Sequence, residues 1–139
     1  MSTGNEVHKA SDQFYAALNR MLSGNANSME DIWSHDSTVT ALHPIGERTV
    51  GWDNVRESFQ QVAQIASEGH VKLVDQIIQV TGDFAYEVGV ERGQAIFSGH
   101  QVTLDHRVTN IYHREVGGWR MVHHHTDVSP AMLEVINQL

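Results

Sequence analysis

The second half of the chain leaves little choice of architecture. Val71–Thr81, Phe84–Phe97, Gln101–Glu115 and Trp119–Val128 are long runs rich in β-branched and aromatic residues, and Gly82-Asp83, Ser98-Gly99-His100 and Gly117-Gly118 separate them. Such runs with such short turns predict four consecutive antiparallel strands, a meander. Strands of this length twist and curl, and the face they enclose must be covered by something else.

The first half supplies the cover. Val7, Ala10, Phe14, Ala17, Leu18 and Met21 recur at three- and four-residue spacing, which predicts one face of a helix ending near Ser23-Gly24. Asn27–Trp33 offers Asn or Ser as a cap followed by acids and predicts a short second helix. Ser37–His43 reads as a strand closed by Pro44 and Gly46. Trp52, Val55, Phe59, Val62, Ala63 and Ala66 form another helical stripe, with Glu68-Gly69 as its stop, and Pro130 opens a short helical tail carrying Met132, Leu133 and Ile136. The expected fold is therefore α+β: early helices packed over a curled antiparallel sheet that leaves a concavity, in a single domain over 1–139. The chain shows no internal repeat, low-complexity segment or linker.

Composition removes several function classes. The absence of cysteine excludes a thiolate nucleophile, a disulfide framework and a zinc–thiolate site. A formal charge of -8, from 17 acidic and 9 basic residues, argues against a nucleic-acid partner. No window approaches the ~18 apolar residues of a membrane span, and Met1–Asn5 lacks a signal-peptide pattern, so a cytoplasmic protein without a membrane partner is expected. The 10 histidines are an excess that needs explaining.

Strict alternation in the last strand places Trp119, Met121, His123, His125 and Asp127 on one face and Arg120, Val122, His124, Thr126 and Val128 on the other. In the strand before it, Asp105, Arg107, Thr109 and Ile111 share a face. An inward Arg107 needs an anion, which is Glu91, Asp127 or a ligand carboxylate. The His-x-His pair, with Asp127 or His43, has the donor types of a metal site. Two such ligands on one strand arise readily by chance in a His-rich chain, so neither a metal nor a cofactor is expected. Tyr15 and Tyr86 are candidates to place hydroxyls in the concavity, against the plainer role of packing their rings.

The order of elements resembles the nuclear transport factor 2-like superfamily over nearly the whole chain. Val50-Gly51-Trp52-Asp53-Asn54-Val55-Arg56-Glu57-Ser58-Phe59 resembles the start of that superfamily's third helix. The final hairpin, Arg107–Arg114 and Gly117–Asp127, is similar to that of SnoaL-like and ketosteroid isomerase-like proteins, and to the association domain of calmodulin-dependent kinase, a non-catalytic hub. The resemblance implies an open cone with a pocket between the helices and the concave sheet face, and a homodimer through the sheet. It would put His123, His125 and Asp127 in the pocket as proton-transfer groups or polar anchors, with Arg107 as a pocket cation beside Thr109. His43, Trp52 and Phe59 would line the cone's side. Val108, Tyr112 and Val122 would lie on the convex, dimer-forming face.

The superfamily spans isomerases, polyketide cyclases, epoxide hydrolases, dehydratases and binding modules, so it implies no single activity. Steroid isomerisation needs an Asp base on the early strand, and Ser37–His43 holds no carboxylate, with Asp36 only at its edge. The expected partner is a small, partly apolar organic molecule with a polar or anionic end. The alternatives are an isomerase, cyclase or dehydratase using His125 or His123 as base, and a non-catalytic oligomerisation module.

Overall fold

The computed structural model describes residues 3–25 and 27–137. Helix α1 (Thr3–Met21) is followed by β1 (Thr40–Leu42), β2 (Thr49–Val50), α2 (Trp52–Ile65), β3 (Ala66–Thr81), β4 (Phe84–Phe97), β5 (His100–Glu115), β6 (Gly118–Thr126) and α3 (Pro130–Asn137). The strands form one curved, open sheet in the order β2-β1-β6-β5-β4-β3, so the four long strands are the expected meander. Every neighbouring pair is antiparallel except β1 and β6. No helix among the described residues is long and apolar enough to cross a membrane.

The stripes read from the sequence are the buried ones. Val7, Ala10, Phe14, Ala17, Leu18 and Met21 of α1 and Trp52, Val55, Phe59 and Ala63 of α2 are buried against the sheet. Burying a ring such as that of Phe14 contributes about 1.5–3 kcal/mol, and both helices earn their place through such contacts rather than through intrinsic propensity.

Three expectations need correction. Asn27–Trp33 forms consecutive turns, not a helix. After a single turn onto the Met29 carbonyl the backbone is recruited by β6: the Met121 N–H donates to the Ile32 carbonyl and the Ser34 N–H to the Met121 carbonyl, both at 3.0 Å. Ser37–His43 contracts to Thr40–Leu42, because the Asp36 carboxylate accepts the Thr38 N–H at 2.9 Å and its hydroxyl at 2.8 Å, closing a local turn that competes with strand pairing. Glu68-Gly69 does not stop α2, which gives way directly to β3. The pair sits in a bulge of β3, where the register with β4 shifts between Ser67 and His70 and Glu68 has φ 50. Gly69 donates to the Leu22 carbonyl at 3.1 Å, and a Cβ there would strike the Leu22 side chain and lie 2.8 Å from its carbonyl oxygen. Glycine therefore marks the closest approach of β3 to the end of α1.

A second bulge determines the chemistry of the interior. Ile111 pairs with His123 but Tyr112 pairs with Met121, which leaves Val122 as an extra residue in β6. Trp119, Met121, His124 and Thr126 are consequently the buried residues of this strand. The alternation read from the sequence holds up to Met121 and inverts beyond it.

Candidate functional site

The concavity between α1, α2, α3 and the inner sheet face holds a cavity of about 50 Å³. Leu18, Phe59, Val62, Phe97, Leu104 and Met132 give it apolar walls, while His43, His106, His124 and Glu91 bring the polar groups. Inside pleat positions of β4 and β5 carry Glu87, Glu91, His106 and Asn110, all buried.

These polar groups form one directed network beneath the cavity. Glu87 accepts from Gln76 Nε2 at 2.7 Å, Tyr112 Oη at 2.9 Å and Asn110 Nδ2 at 3.0 Å. Glu91 accepts from Tyr15 Oη at 2.8 Å and His106 Nε2 at 2.7 Å. Asn110 Nδ2 also donates to Tyr15 Oη at 3.0 Å, and its Oδ1 lies 2.6 Å from His124 Nδ1. Because Glu87 is an acceptor, the Asn110 amide must turn its NH₂ toward it. Its carbonyl oxygen then faces His124, so His124 carries its proton on Nδ1. The network thus runs from His124 through Asn110 to the two carboxyl groups.

Burial, and then the Glu91 carboxyl, raises the Tyr15 hydroxyl well above the ordinary phenol value, and burial with Glu87 does the same to Tyr112, so both remain donors. Burial pushes His43 down to about 4. Burial, followed by the imidazoles of His43 and His106, holds His124 well below the usual value, so His124 is neutral at pH 7. Its Nε2 has no protein partner among the described residues. His106 Nδ1 is buried with no hydrogen-bond partner. No group of three or more His, Asp or Glu side chains suited to a metal occurs among the described residues.

The residues singled out from the sequence divide between the two faces of the sheet. His43 and Phe59 line the cavity, with their rings 4.7 Å apart edge to face. Tyr15 lies in the network below it. Trp52 is buried at the start of α2, stacked on His35 at 4.5 Å. Tyr86, Arg107, Thr109, His123 and His125 lie on the outer face, because their inward neighbours are Glu87, His106, Val108, Asn110 and His124. His123 is half-buried with Nδ1 2.6 Å from Thr40 Oγ1, and His125 is exposed. The anion of Arg107 is Asp127, held at the surface through Nε–Oδ2 at 2.8 Å and Nη2–Oδ1 at 3.1 Å. Val108 and Tyr112, expected on the convex face, are buried inside, and Val122 packs against the core.

Sequence reasoning passed over Glu87, His106 and Asn110, took Glu91 only as a partner for Arg107, and put His124 on the face opposite His123 and His125. One signal was available: the set Ala85, Glu87, Gly89, Glu91, Gly93, Ala95 and Phe97 alternates with Tyr86, Val88, Val90 and Ile96 in a single strand. It puts two carboxyl groups in register with small residues, of which Gly89 and Gly93 make room for the β3 backbone at Val74 and His70.

The SnoaL-like domain profile matches residues 7–131. The chain belongs to the SnoaL-like domain family. Its fold is shared with a candidate dehydratase of the nuclear transport factor 2-like family from Streptomyces avermitilis, at 23% identity and TM-score 0.79, over 92% of this chain and 96% of that one. A nuclear transport factor 2-like superfamily protein from Salmonella enterica superposes with TM-score 0.80 at 18% identity, covering 90% and 89%. A candidate calcium/calmodulin-dependent protein kinase type II association domain from Thiobacillus denitrificans is 27% identical, with TM-score 0.68 over 88% and 94%. No curated protein matches the sequence.

Proposed function

We propose that this SnoaL-like domain binds a small, partly apolar organic molecule in the cavity above His124 and His106. The observation that carries this reading is the pairing of apolar walls with the Nε2 of His124, an imidazole nitrogen with no protein partner among the described residues. A buried polar atom left unsatisfied costs about 1–3 kcal/mol, and a ligand that meets it recovers that cost. Native mass spectrometry of freshly purified protein tests the proposal: a removable organic mass is expected, and Val62→Phe, which fills the cavity, should abolish it. Equal retention by that variant would refute the cavity as the site.

The orientation of His124 by Asn110 favours a second reading, in which the same pocket is catalytic. A neutral imidazole with Nδ1–H fixed and Nε2 free is the arrangement of a general base, and the likeness to a candidate dehydratase is compatible with it. On this reading His124→Phe abolishes turnover while His125→Ala, on the outer face, preserves it. The reverse outcome would discard His124 as the base.

The outer sheet face supports a homodimer. Ile77, Phe84 and Tyr86 are exposed there, and apolar side chains clustered on one sheet face suit a self-complementary contact. The likeness to an association domain points the same way. Light scattering should give twice the chain mass for the native protein and a folded monomer for Phe84→Lys/Tyr86→Lys; a native monomer would refute the interface.

A further inference from the structure

We propose that the ligand of this cavity is neutral and hydrogen-bond-donating, a phenol or alcohol about one ring in size. The inference rests on the cavity being the binding site and goes further, by assigning the ligand's chemistry from the protons of two imidazoles that line it, His43 and His124.

Each proton can be placed from its partner. Asn110 Oδ1 takes the Nδ1 proton of His124, which leaves Nε2 as a lone pair. Ser58 Oγ lies 2.6 Å from the Val55 carbonyl and 2.7 Å from His43 Nε2. The hydroxyl has one proton, and the carbonyl can only accept, so Ser58 donates to Val55 and accepts from His43 Nε2–H. His43 Nδ1 is then bare. The third imidazole, His106, is held by Glu91 Oε1 at 2.7 Å from its Nε2, and its Nδ1 is buried out of reach of the cavity, so the two bare nitrogens are those of His43 and His124. His43 and His124 sit side by side, their rings 5.9 Å apart.

Nothing in the lining answers these lone pairs. No hydroxyl, amide, Lys or Arg side chain lines the cavity, and its remaining polar side chain is that of Glu91, an acceptor. Bare nitrogens on His43 and His124, with the Glu91 carboxyl in the same lining, select a donor and repel an anion. Arg107, the cation expected to receive an anionic end, is paired with Asp127 on the outer face. The volume of about 50 Å³ sets the size. At ~10–15 Å³ per water it holds about three to five waters, on the order of 100–150 Å³ of matter, which one substituted ring displaces.

Three probes of similar bulk separate the possibilities by calorimetric titration of the wild-type protein: p-cresol, 4-fluorotoluene and benzoate. The fluorine matches the hydroxyl in size without donating, and benzoate carries a negative charge. p-Cresol should bind at least about tenfold tighter than 4-fluorotoluene, the worth of one hydrogen bond in a dry site, and benzoate should bind more weakly than either. Equal affinity for p-cresol and 4-fluorotoluene, or benzoate binding as well as p-cresol, overturns the donor assignment while leaving the cavity as the site. Failure of all three to bind up to their solubility overturns the binding site itself. The variant His43→Phe, at the half-buried edge of the cavity, should narrow the gap between p-cresol and 4-fluorotoluene; an unchanged gap removes His43 from the acceptor set.

Discussion

Replacing Asn110 by leucine tests the directed network at its junction. The side chain is fully buried and makes three hydrogen bonds, to Tyr15 Oη, to Glu87 Oε1 and from His124 Nδ1. Leucine keeps the approximate volume but leaves the His124 Nδ1–H without a partner, at about 1–3 kcal/mol. Glu87 loses one of its three donors, a bond to a carboxyl group worth about 1.5–3 kcal/mol, and Tyr15 keeps only its bond to Glu91. The added apolar burial offsets about 1–2 kcal/mol of this. The net expectation is a loss of about 2–4 kcal/mol, which for a chain of this size lowers Tm by roughly 8–16 °C. Urea unfolding at fixed protein concentration gives the free energy, and two-dimensional ¹⁵N spectra of the imidazoles give the tautomer, which should lose its Nδ1–H form at His124 alone. A loss below about 1 kcal/mol, or an unaltered His124 tautomer, would refute the donor order derived for the network.

Acidification should destabilise the fold between pH 6.5 and 4. Unfolded His43 takes up a proton near the ordinary imidazole value of 6.5 and folded His43 only near 4, so the unfolded chain binds more protons in that window. Stability is full above it and falls with pH, by roughly 3 kcal/mol through His43, with His124 adding in the same direction. His43→Gln should flatten the urea midpoint against pH, and an equally steep fall would refute the assignment. Gly69→Ala should cost about 1–3 kcal/mol by forcing Leu22 away from the bulge; an unchanged Tm would show that the end of α1 yields freely. Arg107→Met and His125→Ala should leave both Tm and cavity binding near the native values, since both side chains lie on the outer face, and loss of binding in either would place that face in the site.

The architecture was legible wherever one face of an element was distinctly apolar. Helix α1 announces its buried stripe from Val7 to Met21, and the meander announces its strands through turn residues and β-branched content. The interior of the sheet was harder to read, because the usual contrast is inverted in β4: Glu87 and Glu91 point inward while Tyr86, Val88 and Val90 point outward. Carboxyl groups are tolerated inside only because Tyr15, Gln76, Asn110 and Tyr112 supply donors from other elements, and such pairing across 11 to 76 residues leaves no local pattern. The missing helix at Asn27–Trp33 has the same origin, a partner in β6 that lies far along the chain.

The extra residue at Val122 changes how this strand should be compared with others. Of the consecutive imidazoles at 123, 124 and 125, the one that reaches the cavity is chosen by the number of residues between the Tyr112 pairing and the end of β6, and not by which position carries histidine. Aligning the strand with a relative by residue type alone would match histidines lying on opposite sides of the sheet. Shortening it by one residue between Met121 and His124 would straighten the strand and keep His124 facing inward, so a deletion here conserves the pocket where a realignment would seem to destroy it.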